Sequence, residues 1–185
     1  MVDVEKVKDI GRQLLIAIGE DPEREGLKKT PQRWAKFWSE FIDYKDNNTH
    51  TTFSSSKVDQ LVVISNIRTW SLCEHHLLPF YSDISVGYMT TKKMIGASKI
   101  PRIVHKNAHK LNVQEGLVKA IADEIAKETG SEHVAVIGKG AHLCMIMRGI
   151  KTPSSLITSD LRGCFRHDSQ ARQEFLQLAE FNSGI

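Results

Sequence analysis

Two runs decide how this chain folds: Gln60-Leu61-Val62-Val63-Ile64-Ser65-Asn66-Ile67-Arg68-Thr69-Trp70 and Tyr81-Ser82-Asp83-Ile84-Ser85-Val86-Gly87-Tyr88-Met89-Thr90-Thr91. Val, Ile, Thr, Tyr and Trp crowd both, and such side chains suit a pleated, half-buried surface, so both runs read as strands. Downstream, Ser98 caps a helix running to about Lys110, with Pro101 tolerated because it falls in the first turn. A second helix covers about 113–129, with Val113, Leu117, Ile121 and Ile125 on one face and Gly130 after it. Strands follow at about 132–138 and 141–148, separated by Gly138-Lys139-Gly140, which makes four, and 155–162 is left open as a third strand of this part. Asp168 or Ser169 caps a last helix whose face includes Phe175, Leu176 and Leu178.

Upstream, the pattern is helical. Val4, Val7, Ile10, Leu14, Leu15 and Ile18 recur at spacings of three and four, which predicts an amphipathic helix over 3–18 stopped by Gly19. Thr30 is expected to cap a second helix, with Pro31 at its first position and Trp34, Phe37, Trp38, Phe41 and Ile42 on its packed face. Residues 45–57 are polar and aperiodic and read as a loop. The chain thus divides into an N-terminal helical region with linker, 1–57, and a main domain, 58–185. The element order is that of an α+β fold with a largely antiparallel sheet of four strands, two helices on one of its faces and a helix after it.

The 185 residues suffice for one domain with a helical extension. A 41% hydrophobic and 25% charged composition is that of a soluble globular protein. Apolar runs are too short to span a bilayer, and the acidic, amphipathic start does not read as a secretory signal. A net charge of +3 is too small to indicate nucleic acid. Three cysteines without a secretion signal argue against a disulfide framework and for a reducing, cytoplasmic setting.

Chemistry concentrates between the two deciding strands, in Ser71-Leu72-Cys73-Glu74-His75-His76-Leu77-Leu78-Pro79-Phe80. Cys73 and His76 are three apart, and in a turn that spacing brings a thiolate and an imidazole to one metal ion. The competing reading is a packed cysteine beside surface histidines. A closed structural zinc site needs four ligands, usually supplied as two close pairs. Cys144 and Cys164 are both available to complete the set. Three protein ligands leave a fourth position for water, the arrangement of a catalytic zinc, which lowers the pKa of that water to about 7. Cys144 lies in an expected strand, where His142 two residues earlier shares its face. His75 and His142 are then acid–base candidates, since imidazole titrates near neutrality. Arg33, Lys99, Arg102 and Arg148 sit close to these motifs and suit an anion. Glu115, at the start of a helix, reads either as a dipole partner or as a carboxylate for paired N–H donors.

Taken together, Cys73-Glu-His-His-Leu-Leu-Pro-Phe80, Gly96-Ala-Ser-Lys99 with Arg102-Ile-Val104, Val113-Gln-Glu115, His142-Leu-Cys144 with Arg148-Gly149, and the tail around Gly163-Cys-Phe165 resemble the GTP cyclohydrolase I family. So does Glu20-Asp-Pro-Glu-Arg-Glu-Gly-Leu27 followed by Thr30-Pro-Gln-Arg33. The motifs are collinear over nearly the whole chain. The resemblance implies the tunnelling fold and a decamer of two pentamers with active sites at subunit interfaces. It implies GTP as substrate, with formate released and 7,8-dihydroneopterin triphosphate formed. It implies zinc on Cys73, His76 and Cys144, and His75 and His142 moving protons around N7 and the ribose. It also implies Ser98 near the ribose, guanine held by Gln114 and Glu115, and the triphosphate held by Arg33, Lys99, Arg102 and Arg148. A non-catalytic zinc-stabilised homologue would lack His75, His142 or Glu115, and all three are present. Another tunnelling-fold enzyme, acting on a pterin or deazapurine, would release no formate from GTP. The chain departs from the family's usual Gln-Val-Gln-Glu-Arg with Asn112-Val-Gln-Glu-Gly116, and at Pro101, His105 and Asn107.

Overall fold

Asp3 starts the first helix: its carboxylate accepts from the Lys6 main-chain N–H at 3.0 Å, and α1 runs Val4–Ala17. Helix α2 spans Thr30–Ile42, with Pro31 in its first turn. Thr30 is its first helical residue and not its cap; that position falls to Lys29, which makes no side-chain capping bond. Edge-on ring contacts between Trp34, Phe37 and Trp38 form the aromatic stripe of α2. Asp43 accepts from the Val2 N–H through both carboxylate oxygens, and this holds its carboxyl below the usual range. These elements form one compact unit, Met1–Lys45, and Asp46–Ile185 form a second. The computed structural model describes residues 1–45, 52–54 and 59–180. The domain boundary expected at 57/58, and most of the loop expected over 45–57, lie outside the described residues. Of that loop Lys45 and Thr52–Ser54 are described, and Thr52–Ser54 form strand β1.

In the second unit, β2 (Leu61–Cys73) and β3 (Pro79–Met89) pair antiparallel around the Cys73–Pro79 turn, from Leu72↔Pro79 to Leu61↔Met89. A bulge interrupts the register between Ile64 and Ile67, with Asn66 at φ 57°. β4 (Lys93–Ile95) pairs with β1 in a separate two-stranded ribbon. The main sheet adds β5 (Leu111–Asn112), β6 (Val134–His142) and β7 (Leu156–Leu161) in the order β5-β2-β3-β6-β7. Among the described residues it therefore has five strands where four were expected; the extra one is a two-residue parallel partner of β2.

A second correction concerns 132–148. There is no break at Gly138-Lys139-Gly140: β6 runs unbroken to His142, and Leu143–Ile146 form a helical turn, α5. The two glycines mark close approach. A Cβ on Gly140 would collide with Gln114 Oε1, Ser82 Oγ and Tyr81 O, and one on Gly138 would press Ile84 and Val118. The chain turns only after His142, so His142 and Cys144 do not share a strand face.

Helices α3 (Lys99–Ala108) and α4 (Gln114–Thr129) lie on one face of the sheet. Ser98 occupies the cap position of α3 without a side-chain bond, and Gly130 ends α4 in the left-handed conformation. Leu117, Val118, Ile121 and Ile125 of α4 pack on Phe80, Ile84, Val86 and Val136, all at most 1% exposed. Each such side chain stabilises the fold by roughly 1.5–3 kcal/mol. Across the sheet, α6 (Cys164–His167) and α7 (Ser169–Glu180) bring Phe165 and Phe175 onto Ala135, Leu61 and Ile137. Asp168 caps α7 by accepting from the Gln170 N–H at 2.7 Å. Among the described residues no helix is long and apolar enough to cross a membrane.

Candidate metal centre and the residues around it

Cys73 ends β2, and the turn that follows is closed by main-chain bonds. Leu77 N–H donates to Cys73 O at 2.8 Å, and Cys73 N–H donates to Leu78 O at 2.9 Å. Leu77 adopts φ 55°, which helps the five residues 74–78 reverse the chain between paired strands. Asn112 supports the turn from β5: its carbonyl accepts from Glu74 N–H at 3.1 Å, and its buried amide donates to Ser71 Oγ at 2.9 Å and Asn107 O at 3.0 Å.

This turn puts His76 Nδ1 3.8 Å from Cys73 Sγ. Helix α5 brings Cys144 to the same place, and the ligand atoms of Cys73, His76 and Cys144 all lie within 4.8 Å of one another. Metal–sulfur and metal–nitrogen bonds of about 2.3 and 2.0 Å at a tetrahedral angle would separate S and N by about 3.6 Å. The observed spacing fits, and a two-thiolate, one-imidazole set suits a soft or borderline divalent ion. Burial and the adjacent Cys73 push the Cys144 thiol up, while Arg148 opposes them weakly. Two thiols this close favour ionisation together only when a cation compensates them. Cys164 lies elsewhere, on α6, where its main-chain N–H donates to His133 Nδ1 at 3.1 Å. It is outside this cluster.

The remaining residues singled out from the sequence divide into groups. His75 is exposed, with Nδ1 3.9 Å from Cys73 Sγ and Nε2 3.9 Å from Glu74. His142 is buried and lies flat on Phe80. Burial pushes its imidazole down, against an opposing pull from Glu115. Glu115 is exposed in the first turn of α4. Ser98 is exposed ahead of α3, Lys99 is buried in its first turn, and Arg102 is exposed one turn on. Arg148 is exposed beyond α5. Arg33 is exposed on α2, in the other unit.

Gln114 opens α4. It is fully buried, and every polar atom of its side chain has a protein partner: Gly138 O, Leu156 O, Thr158 Oγ1, Ser82 Oγ and His142 Nε2. Its amide faces inward, onto these groups.

A sequence profile of GTP cyclohydrolase I matches residues 7–180. The chain belongs to the GTP cyclohydrolase I family. Over 179 residues it is 45% identical to GTP cyclohydrolase 1 of Hyperthermus butylicus, covering 97% of this chain and 92% of that one. The protein of the same name from Sulfurihydrogenibium sp. is 44% identical over 96% of both chains. That of Aquifex aeolicus is 42% identical over 97% of this chain and 98% of its own. Within this GTP cyclohydrolase I family member, sequence reasoning missed Phe80, Ser82 and Thr158, which surround His142 and Gln114. The one signal for them was the pair of glycines two apart in a strand, which marks where another side chain approaches the backbone.

Proposed function

We propose that this chain is a zinc-dependent GTP cyclohydrolase I: it opens the imidazole ring of GTP, releases C8 as formate and recloses the ring with ribose carbons as 7,8-dihydroneopterin triphosphate. The observation that carries this reading is the convergence of Cys73, His76 and Cys144 on one point, in a chain of this family. Cys73, His76 and Cys144 would hold zinc, which supplies a Lewis acid and a water activated at neutral pH.

The chain's own residues do the rest. His142, held neutral by burial, exchanges a proton at N7 of the guanine, and exposed His75 does so nearer the ribose. Glu115 accepts from the paired N1–H and 2-amino donors of guanine; its exposed position on α4, close enough to His142 to act on its charge, supports this. Ser98 contacts the ribose. Lys99, Arg102, Arg148 and Arg33 neutralise the triphosphate. The product feeds pterin and tetrahydrofolate biosynthesis in the cytoplasm.

The fold would be the tunnelling fold, assembled as a decamer of two pentamers with sites at subunit interfaces. In support, among the described residues β7 pairs on one side only, and exposed Trp70 and Ile157 leave apolar surface on and beside the sheet.

The deciding experiment incubates the zinc-loaded protein with GTP. Formate and, after oxidation, a fluorescent pterin are expected; a metal-loaded protein that yields neither is not this enzyme.

A further inference from the structure

The amide of Gln114 has one possible orientation. Its Nε2 lies 3.0 Å from Gly138 O, 3.0 Å from Leu156 O and 3.1 Å from Thr158 Oγ1. Two of these are carbonyls, which only accept, so the NH2 end must face them. Oε1 is thereby turned to Ser82 Oγ at 3.0 Å and to His142 Nε2 at 3.1 Å. An amide oxygen cannot donate, so His142 Nε2 must carry the hydrogen.

The ring has no other freedom. His142 is stacked on Phe80 with centroids 4.3 Å apart and planes 8° from parallel, which fixes its plane. Turning it over about its own axis would place a carbon opposite Oε1 and leave a buried acceptor with one partner fewer. In the neutral ring the lone pair then resides on Nδ1.

We propose that Gln114 is a positioning residue: it holds His142 as the Nε2–H tautomer and fixes the direction in which Nδ1 presents its lone pair. The anchors of Gln114 come from β6 and β7, and its Oε1 reaches His142 and Ser82, so one buried amide transmits the sheet's geometry to a single imidazole. The tautomer follows from hydrogen bonding alone. That this orientation matters for turnover rests on the function proposed above.

The test uses the full chain, zinc-loaded and labelled with 15N at histidine. Long-range proton–nitrogen correlation, with His142 assigned by its loss in His142→Gln, should show Nε2 protonated and Nδ1 bare. A protonated Nδ1 with a bare Nε2 overturns the proposal, and this measurement needs no Gln114 variant to fold. In Gln114→Met, the tautomer preference should disappear. In the same variant kcat should fall about ten- to a hundredfold, as is usual when an orienting partner of a site residue is lost. KM for GTP should stay within about twofold. A raised KM at unchanged kcat would instead make Gln114 a guanine contact and sink the positioning role. A protein that shows the Nε2–H tautomer but turns over no GTP would lose the proposed function while leaving Gln114's hold on the tautomer in place.

Discussion

The imidazole of His142 lies parallel to the ring of Phe80, 4.3 Å between centroids, on the core side of the sheet. The two positions face each other across β3 and β6, where Phe80 is paired with His142. Offset aromatic contact in a buried site fixes a ring plane more tightly than aliphatic packing does. Phe80→Leu should therefore retain the fold while loosening His142, and turnover of GTP should fall with little change in zinc content. Phe80→Ala should in addition cost about 3–5 kcal/mol of stability, readable in urea unfolding.

Metal should bind through Cys144 and not Cys164. Zinc per chain is expected near one, lowered in Cys144→Ser and unchanged in Cys164→Ser. Stripping zinc with a chelator should lower the melting temperature, because an ion bound only by the folded state stabilises it, by about 2.7 kcal/mol at a hundred times its dissociation constant. Equal zinc in Cys144→Ser and the parent would remove Cys144 from the site.

His105 gives the stability a pH dependence. Burial, and then the charge of His109, hold its folded-state pKa below the value of about 6.5 expected in the unfolded chain. The folded state thus binds fewer protons than the unfolded one in the window just below 6.5, so stability is full above that value and is lost as pH falls through the folded pKa. His142 is shifted the same way and adds to the slope. The urea midpoint should be lower at pH 5 than at pH 8, and His105→Gln should narrow the difference. An identical difference in the variant would assign the acid sensitivity elsewhere.

Two glycines should respond in opposite directions. At Gly116 a Cβ meets only Val113 Cγ2 at 3.5 Å, an ordinary contact on an exposed part of α4. Gly116→Ala should raise stability by up to about 1 kcal/mol through helix propensity. At Gly87 a Cβ would come within 2.6 Å of the Phe175 ring, so Gly87→Ala should lift α7 from the sheet and lower the melting temperature. Thermal unfolding of the two variants side by side tests both signs.

What the sequence by itself determined is local. Periodicity placed α1 and α4 within a residue of their ends, and cap and proline signals placed the starts of α2 and α3 within a residue, since both signals are written in the local sequence. β-Branched runs placed β2 and β3. The turn with Cys73 and His76 was legible because metal-ligand spacing within one turn is a local property. Only the tertiary structure decided the rest. Gly138-Lys139-Gly140 reads as a break from composition alone, yet the strand continues there because Gln114, more than twenty residues earlier, needs the space. The two-residue β5 exists only as a partner to β2, and no pattern of two residues can announce it. Cys144 completes the cluster from a helical turn, a placement fixed by where β6 ends and not by alternation along a strand. The direction in which Gln114 points was equally beyond local reading. It is set by carbonyls from two strands that the chain reaches only after α4, and by the requirement that a buried amide satisfy every donor and acceptor it carries.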